Sequence, residues 1–166
     1  MNTDKTGIIA FAFGTPSNIK ANQVIGKISE EQARVLNAPL LTQSDVPIRQ
    51  LSTVVKYVDE EKGEPPPTLR IARAAVKWAK QEGMTKLHVV AAKPHLWRAL
   101  RDMRQSVLEL DVDIIVCSCS KIDQYSKEFW FCSDSTQIRT RSKKEWNRRE
   151  HILKILPFWF YKIIAG

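Results

Sequence analysis

The stretch "HVVAAKPHLWRALRDM", residues 88–103, decides how this chain is read. Val89 to Ala92 is a short apolar run of the length a buried strand needs. Lys93-Pro94 ends that run. Leu96, Leu100, Met103 and Val107 then recur at helical spacing. His95 and Arg98 fall at the junction, just past the carboxyl end of the strand, which is where open α/β sheets bind ligands.

Working outward, the same alternation recurs. Residues 7–14, "GIIAFAFG", predict a first strand closed by Gly14, and Thr15-Pro16-Ser17-Asn18 follows as turn and N-cap chemistry. Ala21, Val24, Ile25, Ile28, Val35 and Leu36 predict a helix over 18–36, with an interruption expected near Gly26 or Ser29. "LLTQ" predicts a second strand that closes on Ser44-Asp45-Val46-Pro47, and "TVVKYV" a third at 53–58. The loop "DEEKGEPPP" excludes regular structure through its three prolines. Thr68 then caps a helix over 69–82, which Gly83 stops. "KLHVVAA" is the fourth strand and "DIIVCS" the fifth.

Short strands that are apolar throughout, alternating with helices, are the signature of a parallel sheet covered on both faces. The expected fold is therefore α/β: a Rossmann-like three-layer arrangement, with a mostly parallel sheet of about five strands and one domain over residues 1–166. Residues 120–142 carry no clear period, and "EFWFCS" reads as an edge strand or a loop. A last helix is predicted over 143–163, with Trp146, Leu153, Leu156, Phe160 and Ile163 on its buried stripe and Pro157 kinking or dividing it.

The bulk properties narrow the class. At 166 residues with 43% hydrophobic and 27% charged residues, the composition is that of a globular chain. No run of about 18 apolar residues encodes a membrane span, and the N-terminus lacks the pattern of a signal peptide. Three cysteines, with Cys117 and Cys119 at the wrong spacing for a zinc knuckle, fit a reduced, cytoplasmic compartment. The net charge of +8 is concentrated: residues 139–154 hold seven Lys/Arg against Glu145 and Glu150. Such a basic helix either is a solvated face or makes weak contact with a polyanion.

The sheet rule gathers four loops at one edge, and with them the expected ligand-binding residues Gly14, Ser17, Asn18, Ser44, Asp45, Thr68, Lys93, His95 and Arg98. Hydroxyls, amides and helix N-termini there suit phosphate or carboxylate, so the expected partner is a small anionic ligand. His95 is the one candidate for acid/base chemistry. Ser17, Asn18 and Thr68 have a plainer reading as helix caps. No dinucleotide fingerprint, Walker A sequence, nucleophile elbow or metal-ligand cluster is present. Nor is there any signature of specific nucleic-acid binding.

Three segments together resemble the YdcF-like family, the bacterial domain of unknown function that includes the SanA and ElyC envelope proteins. The first is the strand ending in Gly14, with the helix and "PLLTQS" that follow. The second is Thr68-Leu69-Arg70-Ile71-Ala72 leading to "LHVVAAKPHLWRA", similar to the family's Thr-x-x-Asn-Ala helix start and His-x-x-Arg-Ala turn. The third is the close, "NRREHILKILPFWFYKIIAG", with Glu150, Tyr161 and Gly166. The chain departs from the pattern at Ser44-Asp45-Val46, where the family has Ser-Gly-Gly, and at Ile71, where it has Asn. The resemblance implies a Rossmann-like fold, a pocket at the His-x-x-Arg turn, S-adenosylmethionine as a ligand and a link to cell-envelope processes. The reading from another class is a non-catalytic interaction domain whose basic C-terminal helix meets an acidic partner, nucleic acid or a membrane surface.

Overall fold

A computed structural model describes residues 5–61 and 66–165. Residues 62–65 of the proline-rich loop, and Gly166 of the family-like close, lie outside the described residues. The described chain forms five strands, β1 (Thr6–Ala10), β2 (Leu40–Thr42), β3 (Val55–Tyr57), β4 (Lys86–Val90) and β5 (Ile115–Ser118). Its helices are α1 (Lys20–Leu36), α2 (Thr68–Gln81), α3 (Lys93–Glu109), α4 (Lys143–Ile155) and α5 (Phe158–Ala165).

All strand pairs are parallel and the order is β3-β2-β1-β4-β5. The fold is α/β, as the alternation of apolar runs predicts. The chain moves outward from β1 to β2 and β3, then returns to the other side of β1 for β4. The loops leaving β1 and β4 therefore diverge, and a crevice opens between them at the carboxyl edge. Phe11 N–H on the Val90 carbonyl, 2.9 Å, holds the two strands together at the floor of that crevice.

Side chains alternate across the sheet and divide the core in two. Ile9, Leu41, Leu87 and Val89 pack with Ile71, Ala72, Ala75, Val76 and Met103 of α2 and α3. Ile8, Ala10, Leu40 and Val90 face the other way, against Ala21, Ile25 and Ile28 of α1 and against Trp130 and Trp146. Burying each large apolar side chain contributes roughly 1.5–3 kcal/mol, so both helical layers are held by strand residues only one position apart.

Three expectations are corrected. Helix α1 runs without interruption through Gly26 and Ser29. Glycine is required at 26 for space, because a Cβ there would lie 2.2 Å from the Pro47 carbonyl oxygen. "EFWFCS" forms no edge strand: it is a 3₁₀ turn, Glu128–Trp130, running into loop, and residues 120–142 hold two further 3₁₀ turns, at Ser120–Gln124 and Ile138–Thr140. The last helix is divided at Pro157, and the division changes its phase. Trp146 and Leu153 are buried as expected, but Phe160 and Ile163 are exposed, and Tyr161 and Ala165 take the inward positions. Two helices separated by a break do not share one 3.6-residue register, so the stripe cannot be extrapolated across the proline.

Candidate functional site

The crevice holds a cavity of about 210 Å³. Four of the residues expected from sequence meet there: Gly14, Thr68, His95 and Arg98. Ser17, Asn18, Ser44, Asp45 and Lys93 lie outside its lining. Ser44 is used to close its own loop, donating from N–H and Oγ to Glu60 Oε1 at 2.6 and 3.1 Å. Lys93 pairs with Asp123 at 3.5 Å. Neither Ser17 nor Asn18 caps α1, whose N-cap residue is Ile19 with no side-chain hydrogen bond. Thr68 is not a cap either. It lies inside the first turn of α2, behind Pro67.

The position of Gly14 is fixed by groups far from it in sequence. Asn22, fully buried in the first turn of α1, accepts from Phe13 N–H at 2.8 Å and donates to the Gly14 carbonyl at 2.9 Å. Gly14 itself has φ +91°, in the left-handed region. The segment after β5 folds over it: Thr136 N–H donates to the Thr15 carbonyl at 2.8 Å, and Ser135 and Thr140 share a hydroxyl contact of 2.7 Å. This brings Gln137, Arg139 and Thr140 into the lining.

His95 is almost wholly buried. Its Nε2 lies 3.1 Å from Thr68 Oγ1, and its Nδ1 has no hydrogen-bond partner among the described residues. The ring meets Phe11 and Trp146 edge-on, with centroids 5.8 and 5.7 Å away. Burial, and next the positive charges of Arg98, Arg139 and Arg149, hold its pKa well below the usual histidine value. The imidazole is therefore neutral at pH 7. A depressed folded pKa gives stability that is complete above the unfolded value near 6.5 and is lost as pH falls below it, toward the folded pKa. Unfolding free energy should drop by about 1.4 kcal/mol per pH unit below 6.5 on this account. Urea titrations at pH 7.5 and 5.5 measure the drop, and His95→Gln should flatten it. An equal slope in His95→Gln would assign it to other groups.

Arg98 is buried with Glu150, their side chains 5% and 6% exposed and Nε 2.9 Å from Oε1. That contact is an ion pair without hydrogen-bond alignment, since neither atom completes a hydrogen bond among the described residues. Burial raises the Glu150 pKa, against the lowering effect of Arg98 and Arg149. Arg139 and Arg149 enter the same cavity. Burial, then Arg98 and Arg139, bring the Arg149 guanidinium down to about 10, so it is still charged at neutral pH. Trp146 roofs the cluster: its ring lies 5.4 Å from Arg98 Cζ and 4.7 Å from the Phe13 centroid, and its Nε1–H donates to the Pro94 carbonyl at 3.2 Å.

The far wall comes from α5. Tyr161 donates to Asp102 Oδ2 at 2.6 Å, and Arg101 pairs with Oδ1 of the same carboxylate at 2.7 Å. Burial foremost, and then Asp102, push the Tyr161 hydroxyl up to about 12. Tyr161 is therefore a fixed structural donor rather than a titrating group.

Gln43, in the same sheet-edge loop as the expected Ser44, accepts from Ala12 N–H at 2.9 Å and lines the cavity. Two arginines of the site escape the sheet-edge rule. Arg139 and Arg149 belong to the basic stretch, whose only signal in the sequence is its charge density. No family model, curated protein or solved structure matches the chain.

Proposed function

We propose that this is a YdcF-like domain that binds a compact, multiply charged anion: phosphate or diphosphate, free or as the head of a nucleotide-like molecule. The observation that carries the reading is the convergence of Arg98, Arg139 and Arg149 on one cavity that has no Asp or Glu in its described lining. Glu150, paired with Arg98 and near Arg139 and Arg149, is one carboxylate against three guanidiniums. Confined like charges repel and are costly to desolvate, and a bound anion relieves both costs. Arginine forks also match phosphate oxygens in pairs. If Thr68 donates to His95 Nε2, the proton of the neutral ring sits on the buried Nδ1. The volume, below the roughly 300–1,000 Å³ usual for drug-sized ligands, favours a small anion or a head group. S-adenosylmethionine brings a sulfonium and an ammonium against a single carboxylate, so three guanidiniums disfavour it. Any tie to cell-envelope processes would run through such a phosphorylated ligand.

Thermal unfolding with phosphate, diphosphate and S-adenosylmethionine tests the reading. An anion at 100 times its Kd stabilises by about 2.7 kcal/mol. Arg139→Gln and Arg149→Gln should each weaken it by roughly 10- to 100-fold, the worth of a hydrogen bond to a charged group. Arg141, Lys143, Lys144, Arg148 and Lys154 are all exposed. Replacing Lys143, Lys144 and Arg148 by Gln should therefore leave the shift unchanged. No stabilisation by either anion, or a shift indifferent to Arg139 and Arg149, would reject the site.

A further inference from the structure

Helix α5 is apolar on both sides. Tyr161 and Ala165, one turn apart, are buried with Leu69 and Leu153. Trp159 and Ile163, also one turn apart, are 67% and 72% exposed, and Phe160 and Ile164 beside them are exposed too. A helix hydrophobic all round is normally enclosed by protein or by lipid. This one is firmly docked. Tyr161 is bonded to Asp102, Lys162 pairs with Glu109 at 2.6 Å, and the Phe158 ring lies 5.5 Å from Arg101 Cζ. Its outer face is thus held outward by the same contacts that bury its inner face.

Helix α4 carries its own exposed stripe up to the break at Pro157. Lys144, Arg148, Ile152 and Ile155 follow one another at helical spacing and are all exposed, so the surface passes from cations to hydrocarbon toward α5. Lys154 reaches over the exposed Trp97 of α3, its Nζ 5.1 Å from the ring, and extends the same mixture. Glu145 is the only exposed carboxylate on α4.

We propose that this face lies on an anionic lipid bilayer, with Trp159, Phe160 and Ile163 in the headgroup and upper acyl region and Lys144, Arg148 and Lys154 against the lipid phosphates. Aromatic and aliphatic side chains flanked by Lys and Arg are the composition of interfacial helices. A second copy of the chain is a poorer occupant, because each copy would bring to this face one exposed α4 carboxylate, Glu145, for the three cations. A protein partner is also poorer, because specific interfaces carry about one hydrogen bond per 100–200 Å², and the α5 face offers only the Trp159 indole N–H.

Co-sedimentation of the full chain with phosphatidylcholine vesicles, with and without one quarter phosphatidylglycerol, tests this. Binding is expected to the anionic vesicles and to weaken with added salt. Trp159→Ser with Ile163→Ser should reduce it at least tenfold, and circular dichroism should show an intact fold, since both side chains are exposed. Replacing Lys144, Arg148 and Lys154 by Gln should reduce binding about a hundredfold, because each basic residue near such a surface contributes roughly fivefold. The proposal is overturned if the intact chain does not sediment with anionic vesicles, or if the serine variant binds equally. It is also overturned if sedimentation velocity shows a dimer that the serine variant loses, or if polyglutamate binds this face and vesicles do not.

Discussion

Replacing Glu150 by glutamine should lower the unfolding free energy by about 3–5 kcal/mol, the cost of leaving one member of a buried ion pair without its partner. The shape of the side chain is kept, so packing changes little. What is lost is the carboxylate paired with Arg98, with Arg139 and Arg149 lining the same cavity. Urea unfolding at pH 7 measures the loss. The same variant separates a structural pair from an anion site. If the cavity receives phosphate, the anion supplies the missing negative charge, and its stabilisation of Glu150→Gln should exceed its stabilisation of the parent chain. A smaller effect in the variant would mean that Glu150 serves the fold and that phosphate does not reach Arg98.

Gly14→Ala should cost about 2–6 kcal/mol. Holding a non-glycine residue at φ +91° contributes roughly 1–3 kcal/mol of that. Overpacking contributes roughly another 1–3 kcal/mol, because the new Cβ would lie 2.6 Å from both Ser135 Oγ and Thr140 Oγ1. Those hydroxyls belong to the segment that carries Arg139 into the cavity. The variant should therefore lose anion binding as well as stability. Ser135→Ala in the same background should restore part of the stability by removing one of the two close atoms. If Gly14→Ala unfolds at the parent's urea midpoint, the loop does not pack as described.

Much of the fold was legible in the sequence. Short apolar runs, most of them separated by helical periodicities, specify a parallel sheet: β1, β2 and β4 at its centre are buried, while β3 and β5 at its edges are largely exposed. The sheet-edge rule then placed Gly14, Thr68, His95 and Arg98 at one end. The outward basic residues of α4 were legible too, since charged side chains on a helix default to solvent.

The tertiary structure alone decided the rest. Arg148 and Arg149 are adjacent in the sequence, yet one is exposed and the other lines the cavity. Neighbours on a helix point about 100° apart, and only the docking of Trp146 and Leu153 says which of them faces in. The partner of Arg98 is Glu150, and the partner of Thr68 is His95 rather than its own helix. Local periodicity carries no information about such pairs, because they depend on where two elements cross. Residues 120–142 were opaque for a related reason. Their 3₁₀ turns are held by side-chain contacts such as Arg141 Nε on the Ser135 carbonyl, 2.6 Å, and by the close packing on Gly14, neither of which imposes a repeat. The phase of α5 was lost at Pro157, where the break in backbone hydrogen bonding ends the register that a sequence pattern extends.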